Sequence, residues 1–272
     1  MNLGGPRRIV CLTEETTETL YLLGEQDRIV GISGFTSRPP EARQQKPKGS
    51  AFTSANIPKI LELRPDLVLG FSDLQAQIAR ELVQAGLNVL IFNQRSVSEI
   101  FEMMMTLSRI VDAETAGRVL IRQLQDDLAE ISEAGRKFPR PPRVFFEEWM
   151  DPLISGIRWV EELIEIAGGQ PIFPELRQEQ SAKGRIVQPD AVVTANPEVI
   201  IASWCGRKVS TEKIRQREGW EAIDAVRNGH IHEVKSAYIL QPGPAALTEG
   251  VRQLHMILAN VANGQPAVGL AG

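Results

Sequence analysis

The 272-residue chain holds only two cysteines, Cys11 and Cys205, one in each half. Their spacing is not that of a metal site, and neither half offers a cysteine framework that would favour a disulfide. Cysteine usage therefore assigns no redox compartment. Long apolar runs are missing: none approaches the roughly 20 residues that span a bilayer. Lys/Arg clusters and aromatic-basic platforms are also missing, and the formal net charge is -4; together these exclude nucleic acid as a partner. There is no G-x-G-x-x-G or G-x-x-x-x-G-K phosphate loop, and Gly168-Gly169 reads as a helix stop. A G-x-S-x-G elbow and a Ser-His-Asp order are absent too. Of three histidines, His230 and His232 alternate on one strand and so share a face. A third ligand would have to come from elsewhere, and the pair reads as a solvated strand face. Met1–Pro6 lacks the charged, apolar, small-residue order of a secretory signal. Two origins are consistent with that: a native cytoplasmic start, or an export signal already removed.

What is present is a plan stated twice. Arg8–Leu12 is a short apolar run rich in branched residues, followed by the helical stretch Thr16–Leu23, the stop Gly24 and the strand Ile29–Ile32. Arg64-Pro65-Asp66 then announces the strand Leu67–Leu69. In the second half Arg143-Val144-Phe145-Phe146 opens the series, Val160–Ala167 is helical up to Gly168, and Asn196-Pro197-Glu198 announces Val199–Ala202. Strands alternating with helices imply parallel sheets, because parallel strands need crossover connections. Hydrophobic residues make up 43% of the chain, enough for two separate cores. Residues 112–137 carry no proline and place Val119, Leu120, Leu124, Leu128 and Ile131 at helical spacing, which predicts one long helix. Phe138-Pro139-Arg140-Pro141-Pro142 ends it. The expected fold class is α/β: two Rossmann-like lobes, 1–111 and 139–272, joined by one long connecting helix, 112–138, with a ligand cleft between the lobes.

In such sheets ligands meet the loops at the carboxyl ends of the strands. Those loops are Thr13–Thr16, Gly34–Thr36 with Phe35, Phe71–Asp73 and Asn93–Arg95 in the first lobe. In the second they are Glu147–Pro152, Ser203–Gly206 and Lys235–Pro244, which includes Gln241. Glu14, Glu15, Glu147 and Glu148 place four carboxylates beside one cleft, able to hold a cation, an amide or an amine. The competing reading for Glu14 and Glu15 is that they complement a helix dipole. Trp149 and Trp204 supply aromatic surface. Cys205 can ligate a soft metal once deprotonated, or simply fill space beside a packed tryptophan. The last helix is expected over Ala245–Ala262.

Several stretches, in this order, resemble the substrate-binding proteins of ABC importers for cobalamin, haem and iron-siderophores. They are Arg8–Thr13 with Glu18 and Leu23-Gly24; Ile29-Val30-Gly31 with Pro39-Pro40; Asn56 through Leu69; Ile164–Gly169; Trp220 with Ala225–Ile231; and Pro242-Gly243-Pro244. Phe145–Pro152 most resembles cobalamin-binding members. The resemblance implies a helical-backbone, two-lobe protein that is not an enzyme, has no intrinsic cofactor and acts as a monomer. Its ligand would be cobalamin or another metal-chelate and its partner an ABC permease. Periplasm or cell envelope would be the location. It places aromatics that face the ligand at Phe52 and Phe71, which otherwise read as loop-anchoring core residues. An acid on each lobe docks the family on its permease; the second falls on Asp190, whereas the first falls on Pro58, with Glu62 one turn later as a substitute. A different class stays open: a cytoplasmic enzyme of the chelatase kind acting on a tetrapyrrole or metal through Cys205 and the carboxylates. Chelatases rely on a histidine and an acid facing each other, and no such pair can be placed here.

Overall fold

A computed structural model describes residues 4–265. The chain divides into two units. The first runs to Gln94 and adds Ser98–Leu124 and Gln241–Ala245; the second takes Arg95–Val97, Gln125–Leu240 and the chain from Ala246.

In the first unit the strands are β1 (Ile9–Cys11), β2 (Ile29–Ser33), β3 (Lys48–Ser50), β4 (Leu67–Phe71) and β5 (Val89–Phe92), in the order β3-β2-β1-β4-β5 and parallel throughout. Helices α1 (Glu14–Leu22), α2 (Pro40–Gln45), α3 (Ile57–Glu62) and α4 (Ala76–Gln84) make the crossovers, and α5 (Val97–Ile110) follows β5. Strand β1 shows why its run is apolar without alternation. Ile9 and Cys11 belong to one core cluster, while Val10 and Leu12 belong to another, so both faces are buried. Helix α1 opens with two acids at its positive end and stops where Gly24 takes φ +77°.

The long helix is present as α6, Glu114–Gly135, 22 residues. Gly135 is required there by close approach: a Cβ would lie 2.7 Å from the Gly168 Cα.

The second unit has β6 (Arg143–Met150), β7 (Leu153–Ser155), β8 (Gln170–Pro171), β9 (Val199–Ala202) and β10 (Ile231–Glu233). Its order is β10-β9-β6-β7, with β8 pairing β6; β7 is antiparallel and the rest parallel. Helices α7 (Arg158–Ile166), α8 (Pro189–Ala195), α9 (Thr211–Arg215), α10 (Asp224–Arg227), α11 (Ser236–Ile239) and α12 (Val251–Ala262) complete it. Phe145 anchors the core edge-on to both Phe173 and Trp220, with centroids 6.0 and 6.2 Å away.

Four local expectations change. The segment 37–56, where Ser37-Arg38-Pro39-Pro40 predicts the start of a loop running to about Asn56, contains α2 and β3. Glu147–Pro152 is not a loop: β6 continues to Met150 and turns through Asp151-Pro152 into β7, with Trp149 paired to Ile154. The last helix does not begin as a regular one. Ala246–Gly250 is a π-helical turn leading into α12. The histidine face is not solvated either: the His230 and His232 rings stack at 6.2 Å, and His232 is buried. Burial pushes the His232 pKa down to about 4, so it is held neutral.

Gly250 explains the π turn in part, since a Cβ there would lie 2.3 Å from the Tyr238 carbonyl oxygen. Gly250→Ala is therefore expected to destabilise by about 1–3 kcal/mol through overpacking. Urea unfolding should show a lower midpoint with unchanged slope; an unchanged midpoint would refute the constraint.

Candidate functional site

The order β3-β2-β1-β4-β5 reverses direction between β1 and β4, the switch point where open α/β sheets take ligands at the carboxyl ends of strands. Glu14, Phe35, Phe52 and Phe71 all fall at carboxyl ends of the first sheet: after β1, β2 and β3, and at the last residue of β4. Phe35 is 55% exposed, Phe52 is half-buried and Phe71 is buried. Phe35 thus presents more than half of its surface among these carboxyl-end loops.

The acids of α1 are structural in their contacts. Glu14 is buried and accepts both the backbone N–H (3.1 Å) and the hydroxyl (2.9 Å) of Ser37, tying the loop after β2 to α1. Burial raises its pKa. Glu15 is almost fully buried; Oε1 accepts the Thr13 hydroxyl at 2.5 Å and Oε2 has no partner. Burial pushes its pKa up to about 7. Glu18 accepts the Ala245 N–H at 3.0 Å and pairs with Arg38 at 2.9 Å. Through this bond and that of Gln94 to the Pro242 carbonyl (3.0 Å), Gln241–Ala245 is fastened to the first unit. Gln241 itself is half-buried at the head of that segment.

In the second unit the carboxyl edge of β6 and β9 carries Glu147, Glu148, Trp149, Trp204 and Cys205. Glu147 departs from expectation. It has no exposed surface, and its oxygens take both Arg217 guanidinium nitrogens (2.6 and 2.8 Å) and the Trp204 indole N–H (3.0 Å). Alternation along β6 turns this side chain into the core beside Phe145, where a carboxylate must be paired. Arg217 lies over the Trp220 ring at 4.5 Å. Glu148, on the other face and half-buried, is held bidentate by the buried Arg185 at 2.6 and 3.0 Å, and Arg185 also donates to the Ser155 carbonyl. Trp149 is half-buried, donates to the Asp151 carbonyl at 2.9 Å, and has the exposed Arg207 over its ring at 5.3 Å. Trp204 is buried and Cys205 is exposed, in the turn with Gly206 at φ +70°. Cys11 is buried in β1, where burial raises its thiol pKa to about 12.

Each carboxylate is thus enclosed or paired within its own unit: Glu15 and Glu147 are interior, Glu14 is buried on Ser37, and Glu148 is paired with Arg185. Sequence reasoning missed the arginines, Arg185, Arg207 and Arg217, and it missed Gln75. Arg207 alone had a signal, two residues past Cys205 on a carboxyl-end loop. Glu62, at the end of α3, and Asp190, in the first turn of α8, are both exposed. Among the described residues no group of three or more His, Cys, Asp or Glu is arranged to hold a metal ion. A surface pocket of about 590 Å3 lies at the opposite, amino-terminal edge of the second sheet, beside Glu198 and His230. Glu198 is already bidentate to Arg140 there.

A family model described as periplasmic binding protein matches residues 9–238. The chain belongs to the periplasmic binding protein family. Among curated members, it is 27% identical over 264 residues to the ABC transporter substrate-binding lipoprotein YvrC of Bacillus subtilis, itself described as uncharacterized, covering 92% of this chain and 79% of that protein. It is 24% identical over 243 residues to a vitamin B12-binding protein of Vibrio parahaemolyticus, covering 88% of this chain and 85% of that one. The solved periplasmic heme-binding protein RhuT of Roseiflexus sp. RS-1 superposes with TM-score 0.80 at 21% identity, over 95% of this chain and all of its own. This periplasmic binding protein thus shares its fold with a solved protein described as heme-binding.

Proposed function

We propose that this protein is the solute-binding component of an ABC-type importer in the cell envelope, and that it holds a corrinoid or related metal-chelate (cobalamin, haem or a ferric siderophore) without transforming it. The observation that carries the reading is the aromatic surface at the carboxyl-end loops of a member of the periplasmic binding protein family. Phe35 and Phe52 lie in the first unit, and Trp149 lies beneath Arg207 in the second. Aromatic faces suit a flat or rounded chelate because they bury large area at little entropic cost. Fixed polar groups then set orientation: Glu148 held by Arg185, Arg217 held by Glu147, and Gln241. Phe71 and Trp204, both buried, support these surfaces from below. The permease partner is read on the exposed acids Asp190 and Glu62, with Pro58 unable to serve. Binding as a monomer is part of the same reading. No observation favours the chelatase-like alternative.

The test is a titration of the purified protein with aquacobalamin, haemin and ferric hydroxamate siderophores, followed by absorbance and tryptophan quenching. One of them is expected to bind at micromolar concentration or tighter. Cys205→Ser should retain that ligand within about twofold, since the contacts are aromatic and polar rather than thiolate. Binding by none, or turnover abolished by Cys205→Ser, would overturn the reading.

A further inference from the structure

Gln75 has no exposed surface, and nothing in the residues around it marks it out. It closes the 3-10 turn Asp73–Gln75 that follows β4. Ser72, at φ +70°, starts that turn, its hydroxyl accepting the Leu74 N–H at 3.1 Å and its carbonyl the Gln75 N–H at 3.1 Å. The turn folds the Gln75 side chain back over the end of the sheet. There its Oε1 accepts the Phe71 N–H at 3.0 Å, and its Nε2 donates to the Phe52 carbonyl at 2.9 Å. The orientation of the amide is fixed by its partners, because a backbone N–H can only donate and a carbonyl can only accept.

The bond crosses a gap that the sheet does not close. Phe52 follows β3, at one edge, and Phe71 ends β4; β2 and β1 lie between those strands. Among the described residues no ladder bond joins the two loops. The Phe52 loop is braced locally, by Ala51 N–H to the Ser54 carbonyl and by the Ser50–Ala55 bridge. The Gln75 amide ties it to the end of β4. Gly70 makes room for it, since a Cβ there would lie 2.6 Å from the Gln75 Oε1 and 2.7 Å from the Ile91 Cδ1.

We propose that Gln75 is a positioning residue that sets the spacing of the Phe52 and Phe71 loops and so pre-forms the aromatic surface the ligand meets in the first unit. The inference rests on the reading that this surface takes a metal-chelate. A pre-formed surface binds more tightly because the loop need not be ordered on association. Gln75→Met keeps the volume and removes both bonds. Gly70→Ala displaces the amide from outside, an independent route to the same loss. Gln75→Glu is the informative variant. Ionised, the introduced carboxylate accepts from Phe71 but cannot donate to the Phe52 carbonyl; protonated, it can do both.

The experiment measures aquacobalamin and haemin affinity for wild type and the three variants between pH 5 and pH 8, with amide hydrogen exchange of Phe71. Gln75→Met and Gly70→Ala are expected to bind at least tenfold more weakly and to exchange the Phe71 amide faster. Gln75→Glu should match them at pH 8 and recover toward the wild-type value at pH 5, each compared with wild type at the same pH. A residue important only for general stability would lower the melting temperature without this pH-dependent rescue. Wild type that binds neither probe, nor a ferric hydroxamate siderophore used in their place, sinks the metal-chelate reading and the inference with it. Wild type that binds, with variants of equal affinity or a Gln75→Glu deficit that does not change with pH, overturns the inference alone. Should Gln75→Met fail to fold, Gln75→Glu at pH 5 against pH 8 still decides.

Discussion

Replacing Glu147 with alanine is expected to destabilise the protein by about 3–5 kcal/mol, the cost of stranding a charged partner in the interior. The carboxylate has no exposed surface, and its loss would leave Arg217, whose side chain is only 20% exposed, without its counter-charge. The Trp204 indole N–H, also buried, would lose its acceptor. Denaturant unfolding followed by tryptophan fluorescence measures the effect, and a loss below about 1 kcal/mol would contradict a paired interior carboxylate. A double-mutant cycle sharpens the test. Arg217→Met alone strands the carboxylate, whereas Glu147→Ala with Arg217→Met removes both charges, so the pair together should cost less than the sum of the single changes.

The second large effect is in pH. Glu161, in the first turn of α7, is buried at 4% exposure, its Oε2 has no partner, and burial pushes its pKa up to about 8. Arg177 and Arg185 oppose that rise, while Glu165 and Glu175 add to it. A carboxyl whose folded pKa exceeds its unfolded value binds more protons in the folded state. Its contribution is thus complete below about pH 4.5 and is lost as pH rises to about 8. The slope is about 1.4 kcal/mol per pH unit for each such group, so the full window amounts to several kcal/mol. Glu15 acts in the same direction up to about 7. His232 acts oppositely: held neutral with its pKa near 4, it costs stability as pH falls from 6.5. The difference between wild type and Glu161→Gln isolates the first group. The variant should lose less stability between pH 5 and pH 8 and be the more stable protein at pH 8.5. Parallel curves would show that Glu161 is ionised in the folded protein.

The strands buried on both faces were legible because branched apolar runs such as Ile9–Cys11 and Val199–Ala202 have few alternatives, and the long helix α6 was legible from its spacing. The short edge strands were not. Lys48-Gly49-Ser50 and Gln170-Pro171 carry no apolar signature, because what makes them strands is the neighbour they pair with. Strand β7 hid for a related reason: Asp151-Pro152 reads as a loop, and only the pairing of Trp149 with Ile154 makes it a hairpin. At the site, position along the strand was readable but direction into the core was not. Glu147 follows three apolar residues and looks like a strand end, while its partner Arg217 lies 70 positions away. Gln75 carried no signal at all, since its work is done through two backbone atoms whose identity is the same for any residue.

The segment Gln241–Ala245 bears on how this molecule matures on the ribosome. It lies more than a hundred residues downstream of Leu124, yet it supplies the backbone groups that Glu18 and Gln94 bond, and Gly243 packs on Glu15. Domains generally fold in order as they are synthesised, amino-terminal first. Here the earliest-made unit receives its final piece only after translation has passed residue 245, so nascent chains shorter than that lack a segment of the first unit.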